Sequence, residues 1–247
     1  MSSKTIEDYA RLFAKLNRAG SRTLWDEATL YKAPQKPILL LAMMDLIELN
    51  RNSSNLIKAT DELVEMFERY WERVVPFKSP STLAMPFVRL TSEGFWHLSL
   101  VAGREQELDY AEKSVPRLRE CVNGAYLDDC LYDLIQVEAS REFLRSVLTG
   151  TYFTSKAGKD VAQQSLINRK AFLYSEELLK RPEDPEVHET LAIEEEYRPA
   201  VRDQGFRRAV VATYSHRCAL CGIRCPYFGG KHNGGSRTYP CMEPVPR

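Results

Sequence analysis

The run Pro37-Ile-Leu-Leu-Leu-Ala-Met-Met44 carries no polar side chain on any face. Proline in the first helical turn loses no needed hydrogen bond, and its fixed φ suits a helix start. The apolar character continues to Leu49, so a helix is expected over Ile38–Leu49. A helix that is apolar all round has to be covered all round. Whatever else the chain does, its other elements must wrap this one.

The neighbouring segments are amphipathic, as wrapping elements should be. Ile6, Tyr9, Leu12, Phe13 and Leu16 recur at helical spacing, with Gly20 as a stop, and predict a helix from about Thr5 to Ala19. Leu24 to Gln35 is polar and contains proline, which predicts a loop. Thr60 and Asp61 can cap a helix reaching Val74. Prolines 76, 80 and 86 then break the helical texture. Phe87-Val-Arg-Leu90 and Phe95-Trp-His-Leu-Ser-Leu100 read as two strands joined by a Thr91–Gly94 turn. Helix returns over Leu127–Phe153 and Ala157–Leu179, and Pro199 precedes a last helix from about Asp203 to Tyr214. The expected fold class is mainly α with a small β-hairpin (α+β). The expected domains are a recognition domain over 1–180, an acidic linker over 181–202, and an incomplete second domain over 203–247.

Composition narrows the function classes. The chain has 247 residues, 44% hydrophobic and 28% charged, which is ordinary globular material for one large or two smaller domains. No run of 18 apolar residues exists, so no membrane span is expected. The start, MSSKTIEDYARLF, has no apolar core of a secretory leader, and a cytoplasmic location with reduced thiols is expected. Lys plus Arg equals Asp plus Glu at 34 each, so total charge makes no case for nucleic acid. Its distribution does. Residues 183–196 hold seven acids and no Lys or Arg, while residues 198–247 hold nine Lys or Arg against Asp203 and Glu243. A basic tail behind an acidic connector suits either approach to phosphates or a solvated linker beside a basic end.

The most specific stretch is Gln204-Gly-Phe-Arg-Arg-Ala-Val-Val-Ala-Thr-Tyr-Ser-His-Arg-Cys-Ala-Leu-Cys-Gly222. A helix with paired arginines, Arg207 and Arg208, runs into Cys218-x2-Cys221. Two thiolates at that spacing can grip one zinc. By themselves they are compatible with metal, redox or chance. With the preceding helix, the stretch resembles the entry to zinc-supported HNH endonucleases. The resemblance implies a structural Zn²⁺ on Cys218 and Cys221 and a second C-x2-C. It also implies a histidine that activates water, with Mg²⁺ or Mn²⁺ holding the scissile phosphate. Two-strand cleavage by such enzymes implies a homodimer. After Arg224 the pattern is lost: there is no second C-x2-C, and His232 lies in a glycine-rich run. An irregular ligand set drawn from Cys218, Cys221, Cys225, His232 and Cys241 is the other metal option. The tail reads as a disrupted frame or an abnormal terminus, and no catalytic residue is assigned.

A second stretch, Tyr31-Lys-Ala-Pro-Gln-Lys-Pro-Ile-Leu-Leu-Leu-Ala-Met-Met-Asp45, resembles the Ala-Pro-His-Lys-Pro motif of another domain. That domain is the sulfur-binding domain of restriction endonucleases directed at phosphorothioated DNA, which also carry a C-terminal HNH nuclease. Met85-Pro-Phe-Val-Arg-Leu90 and Gly94-Phe-Trp96 are similar to its second signature. Here Met85 stands where the family has Tyr, and Gln35 where it has His. The resemblance implies contact with phosphorothioate-modified double-stranded DNA through Tyr31, Lys32, Gln35, Lys36, Met85, Pro86 and Arg89, with Arg207 and Arg208 on phosphates.

The chemistry is coherent. Sulfur is a poor hydrogen-bond acceptor and sits in an apolar cup at little cost. A phosphate oxygen there would lose its water, at about 2–7 kcal/mol on transfer scales. The expected activity is therefore binding of modified DNA without cleavage. A DNA-binding module or regulator lacking sulfur specificity is the alternative. Apart from the resemblance, Pro86 can simply begin a strand, Trp96 fits the core, His97 fits a strand without catalytic consequence, and Cys121 and Cys130 fit buried small hydrophobes.

Overall fold

The computed structural model describes residues 4–49, 54–75, 81–180, 194–215, 217 and 222. The chain divides into two compact units, Met1–Ser165 and Leu166–Arg247, with the division falling inside one long helix. The protein is mainly helical with a small two-stranded antiparallel sheet. None of the described helices is long and apolar enough to cross a membrane.

The first unit opens with α1 (Ile6–Phe13), started by a Thr5–Asp8 capping box. α2 (Gln35–Leu49) is the expected central helix, and every residue from Ile38 to Met44 is fully buried. It packs against α3 (Asp61–Val74), α4 (Ala84–Arg89), α7 (Asp129–Gln136) and α8 (Glu138–Tyr152). Each large aliphatic side chain removed from water there contributes about 1.5–3 kcal/mol. Thr60 caps α3 as its side chain predicts, accepting from the Leu63 N–H.

Several local expectations are corrected. The first helix ends at Phe13, short of Ala19, and the last begins at Arg198, ahead of Asp203. Phe87–Leu90 is not a strand; it lies in α4 and the 3-10 turn Leu90–Glu93 that follows. Pro86 occupies the third position of α4, where no intrahelical partner for an N–H is needed. A run of four residues is too short to distinguish strand from helix by its pattern. Gly94, at φ 75°, turns the chain into β1 (Trp96–Leu100). The partner of β1 is β2 (Val122–Leu127), reached through α5 (Leu108–Ala111) and α6 (Val115–Cys121). Gly124 of β2 is required by crowding, since a Cβ there would lie 2.8 Å from the Ile57 carbonyl oxygen. The long helix expected over Leu127–Phe153 is broken at Val137 into α7 and α8. Arg141 stabilises the break by donating to the Ile135 carbonyl at 2.8 Å.

A fully buried polar group ties this core together. Asp45 accepts from Tyr70 Oη and Arg145 Nη1, both at 2.7 Å, and from Ser165 Oγ at 3.0 Å. Burial pushes the Tyr70 phenol well above its ordinary range. In the second unit, α10 (Arg198–Thr213) carries Pro199 in its first turn. It packs on the end of α9 (Ser155–Lys180) through Ile167, Ala171, Tyr174 and Val201. Gly205 lets the backbones approach: a Cβ there would lie 2.6 Å from the Ala171 carbonyl oxygen.

Candidate nucleic-acid interface

The α1–α2 connection is an ordered loop. Gly20 and Lys32 form an antiparallel bridge, with Ser21 N–H on the Tyr31 carbonyl and Ala33 N–H on the Ala19 carbonyl. Leu30 and Tyr31 are both left-handed, at φ 53° and 57°. That conformation costs an L-residue about 1–2 kcal/mol. It is held by Leu30 N–H on the Glu27 carbonyl and Tyr31 N–H on the Asp26 carbonyl. The result is that Tyr31 and Lys32 stand exposed, with the Arg22 guanidinium 5.5 Å from the Tyr31 ring centre.

The start of α2 is more enclosed. Gln35 is buried, and its Oε1 has no hydrogen-bond partner. Lys36 reaches the turn after α4: its Nζ donates to Ser92 Oγ at 3.0 Å and forms an ion pair with Glu93. Both side chains of that pair are nearly buried. Glu93 also accepts from the Asn17 backbone N–H at 3.2 Å.

On α4, Met85 is half-buried and Pro86 is buried. Arg89 is exposed and makes a two-pronged contact with Glu112, its Nε and Nη2 each 2.8 Å from a carboxylate oxygen. The hydrogen bond to Glu112 raises the Arg89 pKa, and the same contact holds Glu112 below the usual carboxylate range. Trp96 is a core residue, with its indole N–H on the Phe87 carbonyl at 2.9 Å and its ring edge-on to Phe87.

Lys36, in the stretch 31–45, therefore meets Ser92 and Glu93 in the turn between the stretches 85–90 and 94–96. Tyr31 and Lys32 lie on the exposed loop before that junction. Arg207 and Arg208 belong to α10 of the other unit, where Arg208 stacks 4.4 Å from the centre of the Phe172 ring. Cys218 and Cys221, with the zinc expected on them, lie outside the described residues, as do His216 and the chain from 223 onward. Most of the acidic linker, 181–193, lies outside them too. Among the described residues, no group of three or more His, Cys, Asp or Glu is gathered as a metal site. Cys121 is buried and Cys130 half-buried. His97 is on β1, exposed, and 2.8 Å from Asp128 through its Nε2.

Sequence reasoning missed Lys15, Arg18 and Arg22, which follow α1 and flank the loop carrying Tyr31 and Lys32. No sequence motif marks them, because their surroundings depend on distant residues such as Tyr152. The chain matches no family model and no curated protein sequence.

Proposed function

We propose that the first unit recognises double-stranded DNA and prefers a phosphorothioate linkage. The observation that carries this reading is the meeting of two sequence-distant stretches. The Tyr31–Asp45 stretch and the stretches Met85–Leu90 and Gly94–Trp96, which are similar to the sulfur-binding domain, are joined by Lys36 contacting Ser92 and Glu93 in the turn between the latter two. A binding surface that needs residues from both requires such a junction.

In the proposed mode, Lys32 and Arg22 approach phosphates from the exposed loop. The Met85 thioether, backed by Pro86, forms the apolar contact for sulfur. A thioether is soft and polarizable, which suits sulfur and offers nothing to a hydrated oxygen. Arg89 exchanges Glu112 for a DNA phosphate at small cost, because an exposed ion pair is worth about 0–1 kcal/mol. The 204–222 segment is proposed as the start of an HNH-type nuclease unit in which Cys218 and Cys221 hold structural zinc. The chain is proposed to bind DNA without cutting it.

The test is a mobility-shift titration of the full chain on a phosphorothioate duplex and on the same duplex unmodified. The modified duplex is expected to bind at least about tenfold tighter, equivalent to about 1.4 kcal/mol. Equal, salt-sensitive binding to both removes the sulfur preference and leaves general phosphate contact. Failure to bind either removes the DNA reading. Rapid cleavage of phosphorothioated plasmid with Mg²⁺ or Mn²⁺ overturns the claim of binding alone.

A further inference from the structure

Beyond the end of α1 the chain folds over a cavity of about 380 Å³, lined among others by Lys15, Arg18, Leu30, Lys32 and Tyr152. Three of its lining residues are cations and none is an acid. Lysines and arginines on a surface ordinarily need no explanation, because water solvates them. Arg18 is different. Its Nη1 is buried and has no hydrogen-bond partner. A buried donor left unpaired costs about 1–3 kcal/mol, and more when charged.

The guanidinium is also held in place. It stacks on Tyr152, with its central carbon 4.0 Å from the ring centre. The ring cannot turn freely, because its hydroxyl donates to the Phe13 carbonyl and accepts from the Leu16 N–H, both at 2.7 Å. Capping of the α1 dipole does not account for Arg18. Ala14 and Lys15 N–H groups and the Tyr152 hydroxyl already reach carbonyls of the last turn, and Nη1 reaches none. Neutralisation by Glu93 does not account for it either. That carboxylate accepts from Ser92 and the Asn17 N–H and is paired with Lys36. Burial lowers the Arg18 pKa, and no carboxylate offsets it.

A rigid guanidinium fork with an unfilled donor, beside two flexible ammonium groups and no acid, has the chemistry of a phosphate receptor. We propose that this cavity is a phosphate seat, in which Arg18 supplies the oriented fork and Lys15 and Lys32 the neutralising charge. The inference rests on the DNA reading only for the source of the phosphate. In that reading the seat takes a backbone phosphodiester of the bound duplex. The chemistry alone would equally take a free phosphate.

Two titrations of the full chain test this, one with inorganic phosphate by calorimetry and one with duplex DNA by mobility shift across salt concentrations. Arg18→Gln and Lys32→Gln are compared with Lys58→Gln, an exposed cation away from the cavity. Each phosphate neutralised contributes about 0.9 to the salt slope, so losing one contact at 0.1 M salt lowers duplex affinity about tenfold. Arg18→Gln is expected to show that loss and that change of slope, Lys32→Gln a smaller one, and Lys58→Gln neither. Arg18→Lys, which keeps the charge but loses the fork and the stack, should be intermediate, and it supplies the comparison if Arg18→Gln does not fold. A loss confined to the duplex titration assigns the seat to a backbone phosphate. Saturable phosphate binding that Arg18→Gln abolishes, with no duplex binding by the parent, keeps the seat and removes the DNA reading. Both titrations unchanged in Arg18→Gln and Arg18→Lys overturn the seat, whatever the parent binds.

Discussion

Two sets of cations in the first unit look alike in sequence and differ in surroundings. Lys36, Arg89 and Arg145 each face a carboxylate: Glu93, Glu112 and Asp45. Lys15, Arg18, Arg22 and Lys32 form no ion pair among the described residues, and they cluster at the α1–α2 connection. In the paired region, positive charge holds elements of the protein together, with Lys36 joining α2 to the turn after α4 and Arg145 joining α8 to α2. In the unpaired region the charge is uncompensated, and an external anion can supply the missing partner. The motif containing Lys36 thus marks a junction, and the clustered cations before it are open to a ligand.

The comparison breaks first at its most buried pair. Asp45→Asn removes the most buried of the carboxylates facing Arg145, leaving Glu48 and Glu142 at 3.6 and 3.2 Å, and a loss of up to about 3–5 kcal/mol is expected. Urea unfolding of the full chain checks it; a loss below about 1 kcal/mol would show that the paired region does not carry stability.

Glu93→Gln should be smaller in stability and informative in binding. The charge-assisted contact to Lys36 is lost, at about 1.5–3 kcal/mol. The freed ammonium then faces solvent and phosphate, so duplex binding should tighten and its salt slope steepen. Weaker duplex binding by a variant that melts as a folded protein would mean that the junction itself positions the interface.

The smallest effect belongs to Arg89→Gln. This pair is largely exposed on the arginine side, so solvent screens it to at most about 1 kcal/mol. Because Arg89 holds Glu112 below its ordinary value of 4.5, the pair stabilises the fold above that pH and is lost as pH falls through the depressed value. Melting curves of the parent and of Arg89→Gln should therefore converge as pH falls below 4.5, and converge also in high salt. A difference that grows on acidification would contradict the sign.

Much of the helical scaffold was legible in the chain. The apolar run after Pro37 and the Thr60 cap each state a local physical requirement that no neighbour alters. The sheet was not legible, because the partner of Trp96–Leu100 is Val122–Leu127 and two helices intervene. Pairing at that separation leaves no turn signature. The same limit applied to the site. Tyr31, Lys32 and Lys36 could be picked out by resemblance, but Arg18 could not, since its importance depends on Tyr152, a residue of α8.

Sequence by itself determined that α2 is central, because a helix apolar on every face from Ile38 to Met44 has one stable location. It also determined the balance of helix over strand, through periodicity and caps. Tertiary structure alone decided which cations are neutralised. Charge is a property of a side chain, but its compensation depends on what the fold brings within a few ångströms. Lys36 meets Glu93 there, and Arg18 meets only a ring and an open cavity.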